Sequence, residues 1–117
     1  MDVIFRRRLV EEIDTASAAE RPDERLASIV ERTLGGVSEE LLESGRLWAT
    51  AALVSLLRDG QLPAEDFVDA VATLQKAIRE GSHQKIRSIP RYFWGLVRFR
   101  LRRSGLKWSM ELLRRSG

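Results

Sequence analysis

Pro63-Ala64-Glu65-Asp66-Phe67-Val68-Asp69-Ala70-Val71-Ala72-Thr73-Leu74-Gln75-Lys76-Ala77-Ile78 is the stretch whose pattern decides the fold. Phe67, Val71, Leu74 and Ile78 recur at three- and four-residue intervals, the period of one helix face, and Ala70 and Ala77 fill the same side. Proline has no backbone N–H to leave unpaired and its φ is already helical, so Pro63 suits the first helical position. Glu65 and Asp66 follow in the first turn, near the positive end of the helix dipole. Gly81-Ser82 closes the pattern. A strand would need two-residue alternation of β-branched or aromatic residues, and no such run exceeds four residues.

The same period extends outward in both directions. Upstream, Asp2 can cap a first helix with Phe5, Leu9 and Ile13 at four-residue intervals and Val10 beside them, fading in Thr15-Ala16-Ser17-Ala18-Ala19. Pro22-Asp23 opens a second with Leu26, Ile29, Val30 and Thr33 or Leu34 inward, and Gly35-Gly36 is its expected stop. Ser38-Glu39-Glu40 starts a third, whose stripe is Leu41, Gly45, Trp48, Ala52 and Leu56, widened by Leu53 and Leu57. Trp48 is expected in the core, and Gly45 near Ala49, Ala51 and Ala52 points to a close helix contact or a slight break. Asp59-Gly60 ends it. Downstream, Pro90 begins a fifth helix, Ser104-Gly105 interrupts it, and Leu106 to Arg115 can form a last short one around Trp108, Met110, Leu112 and Leu113. The expected architecture is all-α, a compact bundle of five to six helices forming one domain over residues 1–117. Residues 1–81 would be a four-helix body and residues 82–117 a C-terminal helical element.

At 117 residues the chain has the length of one domain, and 44% hydrophobic with 32% charged residues suits a globular protein. The absence of cysteine excludes disulfides, thiolate metal sites and a cysteine nucleophile. The longest apolar run, Leu47 to Leu57, falls well short of the roughly 20 residues a bilayer span needs. At the start, Arg6-Arg7-Arg8 follows the apolar Val3-Ile4-Phe5, whereas a secretory signal places basic residues first. These features predict a cytoplasmic protein without a membrane partner.

The net charge of +3 hides an uneven distribution. Residues 1–81 carry ten basic and 16 acidic side chains, whereas residues 82–117 carry ten basic ones and a single acid, Glu111. Five of the eight aromatics, Tyr92, Phe93, Trp94, Phe99 and Trp108, also lie in that last third. At about 100° per residue, Arg91, Gly95, Arg98 and Arg102 share a sector roughly 60° wide. Phe93, Trp94, Leu96, Val97 and Leu101 spread over the opposite side, with Tyr92 and Phe99 at the border. Arg100 lands among the apolar positions, which predicts that the helix leaves the core by about residue 100. A solvated helix face also carries arginines, but surfaces usually mix signs, and here the counter-charge is missing. Such a field attracts a polyanion. The expected contact residues are Lys85, Arg87, Arg91, Tyr92, Arg98, Arg102, Arg103 and Lys107, with DNA favoured over RNA as the ligand. The alternative is a protein-interaction module whose basic helix docks on an acidic partner, and the Trp108/Met110 region could hold a protein partner or a second copy.

Ile86-Arg87-Ser88-Ile89-Pro90-Arg91-Tyr92-Phe93-Trp94-Gly95-Leu96-Val97-Arg98 resembles a segment near the ends of helical domains in bacterial, phage and plasmid replication-initiation proteins, including the DnaD-like family. There an Ile-Arg/Lys turn leads through proline or a polar residue into a Tyr-containing basic helix. The resemblance spans 13 residues and implies DNA contact by Arg91, Tyr92, Leu96 and Arg98, in a protein of replication or of a mobile element. The sequence departs from that pattern at Arg100, where the family has an aromatic.

Little else carries chemistry. His83, the sole imidazole, lies in a polar turn suited to a helix cap or to solvent. No His or Cys cluster has metal-ligand spacing. Gly35-Gly36 lacks the lysine and preceding strand of a phosphate loop. Glu11-Glu12, Glu39-Glu40 and Asp66-Asp69 fall at helix starts or on expected outer faces. The sequence therefore predicts a nucleic-acid-binding accessory protein that is not an enzyme and uses no cofactor or metal.

Overall fold

The computed structural model describes residues 2–39, 41, 47–81 and 89–103, the side chains of 47–49, 102 and 103 excepted. Five helices account for most of these residues: α1 (Val3–Ser17), α2 (Pro22–Val37), α3 (Leu47–Arg58), α4 (Ala64–Arg79) and α5 (Ile89–Arg103). No strand occurs among the described residues, and the fold is an all-α bundle. Its radius of gyration is 13.4 Å, as expected for a compact chain of this length.

The decisive stretch forms α4, with Phe67, Ala70, Val71 and Leu74 fully buried. Pro63 stands one position before the helix, at its cap, and its carbonyl accepts from the N–H groups of Asp66 and Phe67. α2 and α4 are the two central helices: α2 packs on α1, α3 and α4, and α4 packs on α1, α2 and α5. α5 rests mainly on α4. The core joins Leu9 and Ile13 of α1, Leu26, Ile29, Val30 and Leu34 of α2, Leu53, Leu56 and Leu57 of α3, and Phe93, Val97 and Leu101 of α5. Phe67 and Phe93 meet edge to face, ring centroids 6.4 Å apart, which fixes α5 on α4. Gly60 and Gly81 end α3 and α4 with φ of 74° and 80°, a region that suits glycine.

The caps explain where the helices begin. Asp2 accepts the Phe5 N–H through Oδ1 at 2.8 Å, satisfying a donor that the first turn of α1 leaves open. α2 opens on Pro22 with Asp23 and Glu24 in its first turn. Asp23 also accepts from Arg58 at 2.9 Å, which ties the start of α2 to the end of α3. Hydrogen bonds to Asp59 and then Asp23 hold the Arg58 guanidinium even more firmly protonated than usual.

Four expectations need correction. Gly35-Gly36 does not stop α2, which continues to Val37; the chain leaves the helix at Ser38, whose extended backbone (φ −161°, ψ 131°) still bonds its N–H to the Leu34 carbonyl. Each glycine costs that turn about 1 kcal/mol, and burial of Leu34 with packing of Val37 offsets it. Phe5 keeps the spacing of Leu9 and Ile13 but is 55% exposed, because the first turn of α1 stands outside the packed interior. α5 does not leave the core at residue 100: Leu101 is completely buried, and Arg100 is held by carboxylates of α4. Asp66 sits in the first turn of α4 as expected, but Asp69 is not simply an outer-face acid: still partly exposed, it takes arginines from α1 and α5. The Gly45 contact, the residue 82–88 turn with His83 and the helix of Leu106 to Arg115 lie outside the described residues, as does the side chain of Trp48, expected in the core.

Candidate nucleic-acid interface on α5

Packing against one main neighbour divides the surface of α5. Phe93, Val97 and Leu101 form the inner line, with Trp94 and Leu96 half-buried against the core and Trp94 in edge contact with Phe93 at 5.9 Å. Arg91, Gly95 and Arg98 occupy the opposite side and are exposed. A Cβ placed on Gly95 would have no atom within 4 Å, so this side is open at mid-helix. Phe99 is 58% exposed and Tyr92 is half-buried. Arg91 and Arg98 are seven residues apart, as are Tyr92 and Phe99. Two files, one cationic and one aromatic, therefore run side by side with a repeat of about 10.5 Å.

Arg100 belongs to a different set. Its side chain is only 21% exposed, and its Nη1 lies 3.4 Å from Asp69 Oδ2 and 3.7 Å from Asp66 Oδ1. Asp69 also binds Arg6 of α1 through Oδ1. One carboxylate thus joins three helices, with cations from α1 and α5 converging on α4. Removing guanidinium groups from water is costly unless they are paired, and here both are.

Of the residues singled out in the sequence, the structure brings Arg91, Tyr92 and Arg98 together on α5. Arg102 and Arg103 end the same helix with their side chains undescribed. Lys85, Arg87, Lys107, Trp108 and Met110 lie outside the described residues. Leu96 is half-buried and faces the core.

A second basic segment escaped the sequence reading. Arg7 and Arg8 are exposed at the start of α1, after Val3, Ile4 and Phe5, which are 71%, 67% and 55% exposed. The run is plain in the sequence, where its place after Val3-Ile4-Phe5 bears on targeting and carries no binding signal of its own. Arg8 also lines a cavity of about 620 Å³ between α1 and α2, where it, Arg25 and Arg32 are balanced by Glu11, Glu12 and Glu24. Arg32 reaches Glu12 there at 2.6 Å. Among the described residues no group of three or more His, Cys, Asp or Glu could hold a metal ion, and no helix is long and apolar enough to cross a membrane.

No protein-family model, no curated protein and no solved structure matches the chain.

Proposed function

We propose that this chain is a small helical nucleic-acid-binding accessory protein, with DNA the preferred ligand and α5 the contacting element. The observation that carries this is the sorting of arginines on one helix. Arg100 is directed at protein carboxylates, whereas Arg98 is presented on the outer side next to the exposed Phe99, with Arg91 exposed two turns before it. Packing alone would be served by any polar residue at position 98. Each arginine placed on a phosphate releases condensed counterions, so binding would be weakly selective for sequence and steeply salt-dependent. Arg102, Arg103, Lys85, Arg87 and Lys107 would add to the same field. The local resemblance to replication-initiation proteins supports a role in replication or a mobile-element process. No catalytic step is assigned, and the cytoplasm is the compartment this role requires.

Fluorescence-anisotropy titration of labelled DNA at 50 and 200 mM salt tests the proposal. Tight binding at low salt that falls steeply at the higher concentration is expected, and no binding at low salt would overturn it. A second reading, docking on an acidic protein, is favoured by Arg100, since it pairs with protein carboxylates from this same helix. Binding to an acidic polypeptide with none to DNA would select it.

A further inference from the structure

Two Phe-Arg dipeptides, Phe5-Arg6 and Phe99-Arg100, send their arginines to the same carboxylate. Arg6 and Arg100 both bind Asp69, one on each oxygen, and the phenylalanine preceding each arginine is more than half exposed. With Val3 and Ile4 these are the exposed large hydrophobic side chains of the described residues, all at the start of α1 or late in α5. Neither phenylalanine lies on the inner line of its helix, which is Leu9, Ile13 and Ala16 in α1 and Phe93, Val97 and Leu101 in α5, and Phe5 lines an open groove with Gly36 and Val37 of α2 and Gln75 of α4. Arginines at the positive end of α1 also run against the helix dipole, so the sequence around Phe5 is not explained by helix stability.

Resting on the nucleic-acid reading above, we infer that the first two turns of α1 complete the interface and that its ligand is an unpaired DNA strand. Phe99 and Phe5 are stacking stations for successive stretches of that strand. Arg98 and Arg7, each exposed and next to one of these segments, take its phosphates. A duplex hides the base faces and gives an exposed phenylalanine nothing to stack on, whereas an unpaired strand offers a π-face at every nucleotide. Asp69 does not repel the strand, because Arg6 and Arg100 already neutralise it.

The test uses the full chain with a fluorescein-labelled 20-nucleotide oligo-dT, a 20-base-pair duplex and vesicles of phosphatidylglycerol and phosphatidylcholine. The oligo-dT should bind more tightly than the duplex. Phe5→Ser and Phe99→Ser should each weaken oligo-dT binding by about ten-fold or more without changing its salt slope, since stacking releases no counterions. Arg7→Gln should flatten the slope by about 0.7. All three positions are outside the core, so circular-dichroism melts should match the parent and separate lost binding from lost folding. If the parent binds oligo-dT but Phe5→Ser and Arg7→Gln behave like it, α1 is not part of the interface and the inference fails alone. A duplex bound as tightly as the single strand also overturns it. If the parent binds neither oligonucleotide, the functional reading fails as well, and phenylalanine-dependent vesicle binding would then assign this surface to lipid.

Discussion

α4 and α5 lie against each other and obey the same helical period, yet their polar sides meet different surroundings. α4 is enclosed by α1, α2 and α5, and its acids Asp66 and Asp69 are taken up by arginines from its neighbours. α5 has one main neighbour and keeps Arg91, Arg98 and Phe99 outside. The difference teaches that charge on a helix is not one property. Where a carboxylate waits across the interface, as for Arg100, an arginine ties helices together, and on the outer side, as for Arg98, it faces solvent.

The comparison can be broken most forcefully through the two phenylalanines. Phe67→Ala on α4 should cost about 3–5 kcal/mol in urea unfolding, since it empties a site with no solvent contact. Phe99→Ala on α5 should stay within about 0.5 kcal/mol, as expected at an exposed position. Equal effects would mean that α5 is as enclosed as α4. Next in size, reversing Arg91 and Arg98 to glutamate should weaken DNA binding about 10- to 100-fold at low salt, with circular dichroism showing the helices still formed. A smaller effect is expected at the junction of the two helices. Asp69→Ala leaves two arginines without that acceptor and should cost about 1–2 kcal/mol, between the values for exposed and buried ion pairs. Arg100→Gln should likewise lower the unfolding midpoint and change DNA affinity far less than the Arg91 and Arg98 reversals do.

The inner line of α5 was legible because Phe93, Val97 and Leu101 report burial through spacing alone. Arg100 was not, because its meaning depends on Asp69, 31 residues earlier, and on a helix pairing that no local pattern encodes. The same limit applies to Asp66 and Asp69, which look like solvent-facing helix-start acids until a neighbour is placed beside them. Phe5 failed for a different reason: periodicity assigns a residue to a face but does not say how far along the helix the neighbours reach. At Gly35-Gly36 the punctuation was real but weak, since a turn held by Leu34 and Val37 tolerates both glycines. Of the candidate site, the Arg91/Arg98 side and its aromatic border could be read directly from the 100° rotation per residue, whereas the start of α1 needed the fold to bring it near α5.

Gly95 has a consequence for how much stability the protein retains. It occupies the middle of an exposed helix face, with nothing near enough to exclude a methyl group. Alanine there should stabilise the fold by about 0.5–1 kcal/mol, raising the melting temperature by a few degrees. The chain forgoes that gain in a molecule whose whole margin is on the order of 5–15 kcal/mol. If the bare backbone between Arg91 and Arg98 is where a ligand comes closest to the helix axis, Gly95→Ala should melt later and bind DNA less well, a trade of function against robustness localised to one missing carbon atom.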